Sequence, residues 1–130
     1  MTTYRTHLIA VYLDDERTPP KGFYDPKTVK ECWSVKTVDE CWELLCTYNV
    51  DTCSLDNDLG VPGLENEGRE IIKRLITAQE RDGLLMWPRK LILHSANPVA
   101  VQYMISNLSQ YAPMTPQGAD KLVWTYPRFM

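Results

Sequence analysis

The chain has 130 residues, 44% of them hydrophobic and 24% charged, which is the size and balance expected of one globular domain with a real core. Its formal charge is -3, and its lysines and arginines are scattered, so no basic stripe is offered to a nucleic-acid duplex or an anionic membrane. Residues 1–130 are expected to form a single domain, and any phosphate it handles is expected to belong to a small ligand.

The first apolar run, Leu8 to Leu13 in MTTYRTHLIAVYLDDER, is too short for a signal peptide or a membrane span, which implies a cytoplasmic protein. It has the near-continuous, β-rich character of a strand covered on both faces. Glu16 to Lys30, with Pro19, Pro20, Gly22 and Pro26, follows as a long ordered loop. CWSVKT (32–37) is a weaker strand. Thr37 and Glu40 then make a capping box, and Val38, Cys41, Trp42, Leu45 and Tyr48 form one helical stripe behind it.

VDTCSL (50–55) is a second continuous strand. A helix is predicted from Glu65 to about Glu80, with Ile71, Ile72, Leu75 and Ile76 toward the sheet and Asp82-Gly83 ending it. KLILHSA (90–96) is the next strand. Asn97-Pro98 opens a third helix, in which Val101, Met104, Ile105 and Leu108 recur at helix spacing until Tyr111 to Pro113. KLVWTY (121–126) supplies a last, weaker strand. This alternation predicts an α/β fold: a single open, mostly parallel, five-stranded sheet with helices on both faces.

Cys32, Cys41, Cys46 and Cys53 form no CxxC pair and no zinc-spaced Cys/His cluster. Reduced core thiols are therefore expected rather than disulfides or structural zinc. Trp33, Trp42, Trp87 and Trp124 lack the spacing of a stacking platform and belong to the core or its edges. His7 precedes the first strand, away from the strand ends that matter below, and receives no role.

In an open α/β sheet, ligands bind outside the carboxyl ends of the strands, where the strand order reverses. Asp14-Asp15 closes the first strand, and Asp56 and Asp58 close the strand at 50–55. If the two strands are neighbours, four carboxylates converge. Each like-charged pair at about 4 Å costs on the order of 4 kcal/mol at an effective dielectric of 20, so the cluster calls for a cation or raised pKa values. Mg²⁺, which prefers oxygen ligands and keeps several waters, is the economical occupant. Asp58 has a second reading as the cap of the Leu59-Gly60 turn. Arg17 either grips a phosphate or pairs with an aspartate, and Glu16 is most simply a solvated loop residue.

His94-Ser95-Ala96-Asn97 delivers an imidazole, a hydroxyl and a helix N-terminus to the same rim. His94 suits a general acid or base, or a metal ligand. Ser95 either contacts phosphate or bonds the helix start, and Asn97 is the N-cap whose helix start favours an anion.

An acidic pair after strand one, an aspartate after strand three and a small hydroxyl residue after strand four resemble the ground plan of response-regulator receiver domains. That resemblance implies the receiver/flavodoxin-like strand order 2-1-3-4-5. It also implies Mg²⁺ at Asp14 and Asp15, phosphoryl acceptance at Asp56 and sensing at Ser95. Where receivers carry Lys-Pro, this chain has Tyr126-Pro127, so Arg128 or Lys121 would have to replace the lysine.

YLDDERTPP, SLDNDLG and HSAN together are more similar to a receiver-like family of bacteria and bacteriophages named for predicted cyclic-phosphate processing. The resemblance implies metal-assisted action on a cyclic nucleotide or cyclic phosphate in phage-host conflict, within the host cytoplasm if the chain is phage-encoded. The leading expectation is a phosphoesterase in which Asp14, Asp15, Asp56 and Asp58 hold Mg²⁺ or Mn²⁺. His94 and Asp56 would be catalytic, and Arg17, Ser95 and Asn97 would hold the phosphate. Two alternatives stand beside it: a module that sequesters a cyclic nucleotide uncleaved, and an atypical phospho-accepting receiver.

Overall fold

A computed structural model of the chain describes residues 8–83, 87–111, 113–118 and 120–126. His7, Pro127 and Arg128 lie outside the described residues. The elements in chain order are β1 (Leu8–Leu13), β2 (Glu31–Val35), α1 (Val38–Thr47), β3 (Asn49–Leu55), α2 (Arg69–Asp82), β4 (Lys90–Leu93), α3 (Pro98–Gln110), β5 (Thr115–Gln117) and β6 (Asp120–Thr125). They build one sheet of order β2-β1-β3-β4-β6-β5, in which β2, β1, β3 and β4 are mutually parallel. The mostly parallel, receiver-like α/β architecture is therefore as expected.

The helix ends follow local chemistry. Thr37 and Glu40 close the capping box at α1, and Asn97 accepts from the Ala100 backbone N–H at α3 with Pro98 in the first turn. The start of α2 lies later than the expected Glu65. Residues Leu64–Asn66 form a short 3-10 turn, Glu67 is extended, and the helix opens at Arg69. The cause is tertiary: the buried Asn57 side chain accepts from the Arg69 backbone N–H at 3.0 Å, capping the helix from the preceding loop. At the far end Gly83 (φ 66°) closes α2 in the left-handed conformation.

Two details of the expected sheet are corrected. The sheet has six strands rather than five, and the strand beside β4 is antiparallel to it. After α3 the chain runs up the edge as β5, turns at Gly118 (φ 54°) and returns as β6 between β5 and β4. A three-residue strand in TPQ carries no apolar run, so nothing in the local pattern announced it.

The expectation of helices on both faces is also corrected: the described helices share one face. Ile9, Val11, Leu13, Cys53, Leu55, Leu91, Leu93 and Trp124 meet Cys41, Leu45, Ile71, Ile72, Leu75, Met104 and Leu108 in one core. The handedness of crossovers explains this. The chain moves one way across the sheet from β1 to β2 and the other way at every later crossover, so right-handed connections put only the β1–β2 segment on the second face. That segment is the proline-containing loop, which has no helix to contribute.

All four cysteines are free, with Cys41 and Cys53 buried in the core. Trp124 is buried, Trp42 and Trp87 pack against the core, and Trp33 is exposed at the β2 edge. No helix among the described residues is long and apolar enough to cross a membrane.

Candidate functional site

β1 and β3 are adjacent in register, with Leu13 opposite Leu55, so Asp14 and Asp56 leave neighbouring strands side by side. Backbone bonds hold both ends: the Asp56 N–H donates to the Leu13 carbonyl at 2.9 Å and the His94 N–H to the Leu55 carbonyl at 3.0 Å. One carboxylate oxygen each from Asp14 and Asp56 and a ring nitrogen of His94 lie within 4.8 Å of one another. This carboxylate-carboxylate-imidazole set could hold a metal ion.

Asp14 and Asp56 are buried, and each has a distinct environment. Asp14 Oδ1 accepts from the backbone N–H groups of Glu16 and Arg17, both at 2.9 Å. Its Oδ2 faces His94 Nε2 at 2.9 Å and Arg17 Nε at 3.5 Å. Burial alone would raise the Asp14 pKa, but these N–H bonds and His94 together hold it below the ordinary carboxylate value. The Asp56 carboxylate accepts from the Asn57 backbone N–H at 2.9 Å. Burial, reinforced by the charge of Asp14, pushes its pKa up.

His94 is clamped on three sides. Its Nδ1 is 2.7 Å from Ser54 Oγ, its Nε2 faces Asp14, and its ring stacks on Tyr12 at 4.6 Å with 5° between the planes. Burial lowers its pKa, and it outweighs the opposing pull of Asp14 and Asp56. The neutral form is therefore favoured. A Ser54 hydroxyl that donates to Nδ1 leaves the proton on Nε2; one that accepts leaves the Nε2 lone pair free for a cation.

Asp15 and Asp58 line the same cavity as Asp14 and Asp56, together with Glu16, Arg17 and Ala96, around ≈ 140 Å³. Asp15 packs over Gly60, where a Cβ would come within 2.9 Å of its Oδ2 and where φ is +78°. Asp58 is exposed and accepts from Asn97 Nδ2 at 3.2 Å and from Asn57 Nδ2 at 3.2 Å. It thus ties two loops together at the rim, outside the closest three-group set. Of its two expected roles Arg17 shows the aspartate pairing: it pairs with Asp14, donates to the His94 carbonyl at 3.2 Å, and leaves its side chain 52% exposed.

Ser95 and Asn97 face the helix start rather than the cavity. Ser95 Oγ accepts from the Asn97 N–H at 3.0 Å, and Asn97 caps α3 while reaching Asp58. Tyr126 is at the opposite rim, its N–H donating to the Arg89 carbonyl at 2.8 Å, so it does not correspond in space to the receiver lysine. Lys121 lies two residues beyond Val123 on β6, on the site side of the Ile92–Val123 pair.

Sequence reasoning missed Tyr12, Ser54 and Asn57. Tyr12 and Ser54 alternate with core residues on their strands and point to the second face, a period-2 signal that was present in the text. Asn57 is completely buried, with Nδ2 donating to Glu67 at 2.8 Å and Oδ1 capping α2. Its partners are ten and twelve residues away, so no local motif marks it.

The parallel β2-β1-β3-β4 core and the acidic cluster at its carboxyl end define a receiver-like α/β domain. The model of the cyclic-phosphate processing receiver domain matches residues 9–110, and the chain belongs to that family. No curated protein and no solved structure matches it.

Proposed function

We propose that this domain is a metal-dependent phosphoesterase acting on a cyclic nucleotide or cyclic phosphate. One observation carries the reading: the cavity is lined by Asp14, Asp15, Glu16, Asp56 and Asp58 against the single guanidinium of Arg17. Such a wall repels a phosphate unless a cation stands between them. The donor set fits a hard divalent ion, Mg²⁺ or Mn²⁺, with Asp14 and Asp56 as ligands and Asp15 and Asp58 within the same cavity. When bound, that cation would polarise a phosphoryl oxygen and lower the pKa of a water.

The chain's own residues supply the remaining work. Arg17, half exposed at the rim, is the cationic group able to meet a nonbridging oxygen. Ser54 and Tyr12 fix the His94 ring so that Nε2 faces the cluster. There His94 takes a proton from the attacking water or returns one to the leaving oxygen as the P–O ester bond breaks and a new P–O bond forms. Ser95 and Asn97 act as positioning residues, shaping the start of α3 and holding Asp58.

The test is incubation with Mg²⁺ or Mn²⁺ and a panel of cyclic nucleotides and cyclic phosphates. Metal-dependent ring opening, lost in Asp56→Ala, is expected. Absence of turnover, or full activity in Asp56→Ala, overturns the proposal. Tight binding with the ligand recovered intact would identify a sequestering module instead.

A further inference from the structure

The end of the sheet away from the acidic cavity carries a second cavity, of ≈ 440 Å³, lined by Arg89, Lys90, Gln117, Val123 and Thr125. That volume falls in the range of roughly 300–1,000 Å³ typical of small-molecule sites. Two cations and no carboxylate face it among the described residues, the reverse of the cavity that holds Asp14 and Asp56.

Strand period places these groups together. Successive strand residues point to opposite faces. Leu91 and Trp124 belong to the core, so Lys90 and Thr125, which pair across β4 and β6, stand on the second face, and Val123 follows two residues from Thr125. Gln117 joins them from β5, where its Oε1 accepts from Thr125 Oγ1 at 2.6 Å. That bond uses the acceptor end of the amide and leaves its Nε2 hydrogens to donate.

Arg89 is anchored from behind. Its Nε donates to Asp51 Oδ1 at 2.9 Å, and the Asp51 side chain is only 3% exposed, with Oδ2 taken by Thr52 Oγ1 at 2.9 Å. The Arg89 carbonyl is held by the Tyr126 N–H at 2.8 Å. Asp51 thereby fixes the direction of the guanidinium, whose terminal nitrogens make no hydrogen bond among the described residues. The Lys90 ammonium makes no ion pair among them either. What the cavity offers is therefore donors: a guanidinium, an ammonium and an amide N–H₂. A ligand that satisfies them is anionic and rich in acceptors. A phosphomonoester, with close to two negative charges at neutral pH and three strong acceptor oxygens, meets that description.

We propose that this cavity is a second binding site, for a small organic phosphomonoester whose terminal oxygens meet Arg89, Lys90 and Gln117 and whose carbon body rests on Val123. Lys90 opens β4 and His94 follows its end, a span of about 13 Å at 3.3 Å per residue. The site is thus separate from the acidic cavity, and it does not rest on the phosphoesterase reading.

The experiment is a ¹H–¹⁵N NMR titration of the full chain in metal-free buffer at constant ionic strength. Glycerol 3-phosphate and ribose 5-phosphate are the probes, with succinate as a carboxylate dianion and glycerol as an uncharged body. At least one phosphate probe is expected to give saturable shifts at the Lys90 and Thr125 backbone amides and the Gln117 side-chain amide, with none at Asp14, Arg17 or Asp56. Lys90→Gln should weaken binding about tenfold. Gln117→Glu, on an exposed strand, should abolish it by charge repulsion while the other resonances stay in place. Shifts that do not saturate, that succinate or glycerol match, or that centre on Asp14, Arg17 or Asp56 overturn the proposal, as does unchanged affinity in either variant.

Discussion

Replacing Asp56 by Asn should stabilise the metal-free protein while removing its response to metal. Asp14 and Asp56 present oxygens within 4.8 Å, and two full charges at that separation repel by about 3.5 kcal/mol at an effective dielectric of 20. Partial protonation of Asp56 and the neighbouring Arg17 reduce that cost, so the expected gain in chelator is about 1–2 kcal/mol. An amide keeps the acceptor for the Asn57 N–H and adds no volume. The sign with pH follows from the raised pKa of Asp56: its ionisation costs folding free energy, absent below the ordinary carboxylate value and fully present above the folded one. The advantage of the variant should therefore grow as pH rises through that window. Urea midpoints in chelator and in saturating Mg²⁺ measure both effects, since binding to the native state adds RT ln(1 + [L]/Kd). A variant less stable than the wild type in chelator, or one stabilised by Mg²⁺ to the same degree, would refute the charge-cluster reasoning.

Gly68→Ala places a Cβ against the Asp56 carbonyl, a backbone atom that cannot swing aside, and should cost about 2–3 kcal/mol by urea unfolding. Metal affinity should drop with it, because the end of β3 must shift. Asn57→Ala leaves the Arg69 N–H and Glu67 short of a buried partner and should cost about 2–3 kcal/mol by urea unfolding. NMR titration should find His94 protonating below the ordinary histidine value of about 6.5. The unfolded chain then binds a proton that the folded one does not, so stability falls as pH drops from that value toward the folded pKa. Ser54→Ala should change the ring-nitrogen shifts of His94 at neutral pH, and unchanged shifts would dismiss Ser54 as its partner.

Much of the fold was legible because its signals are local. Continuous apolar runs marked β1 and β3 nearly to the residue, and the Thr37-Glu40 box and Asn97-Pro98 marked two helix starts. The delayed start of α2 was not legible, since its cap comes from Asn57 across a loop. β5 was hidden for a different reason: an exposed edge strand buries nothing, so selection for an apolar pattern is absent there. The candidate site divides the same way. Asp14, Asp15, Asp56, Asp58 and His94 were found at strand ends, whereas the orientation of Ser95 away from the cavity depended on its bond to the Asn97 N–H.

By itself, the sequence determined which residues end the parallel strands and therefore which carboxylates and imidazole could meet, because strand period and ligand position at carboxyl ends are properties of the chain. Only the tertiary structure decided that the three described helices share one face, that a proline loop is left to cover the other, and that Tyr12 and Ser54 lock His94 against Asp14. Those outcomes depend on crossover handedness and on partners up to eighty residues apart, which no local pattern encodes.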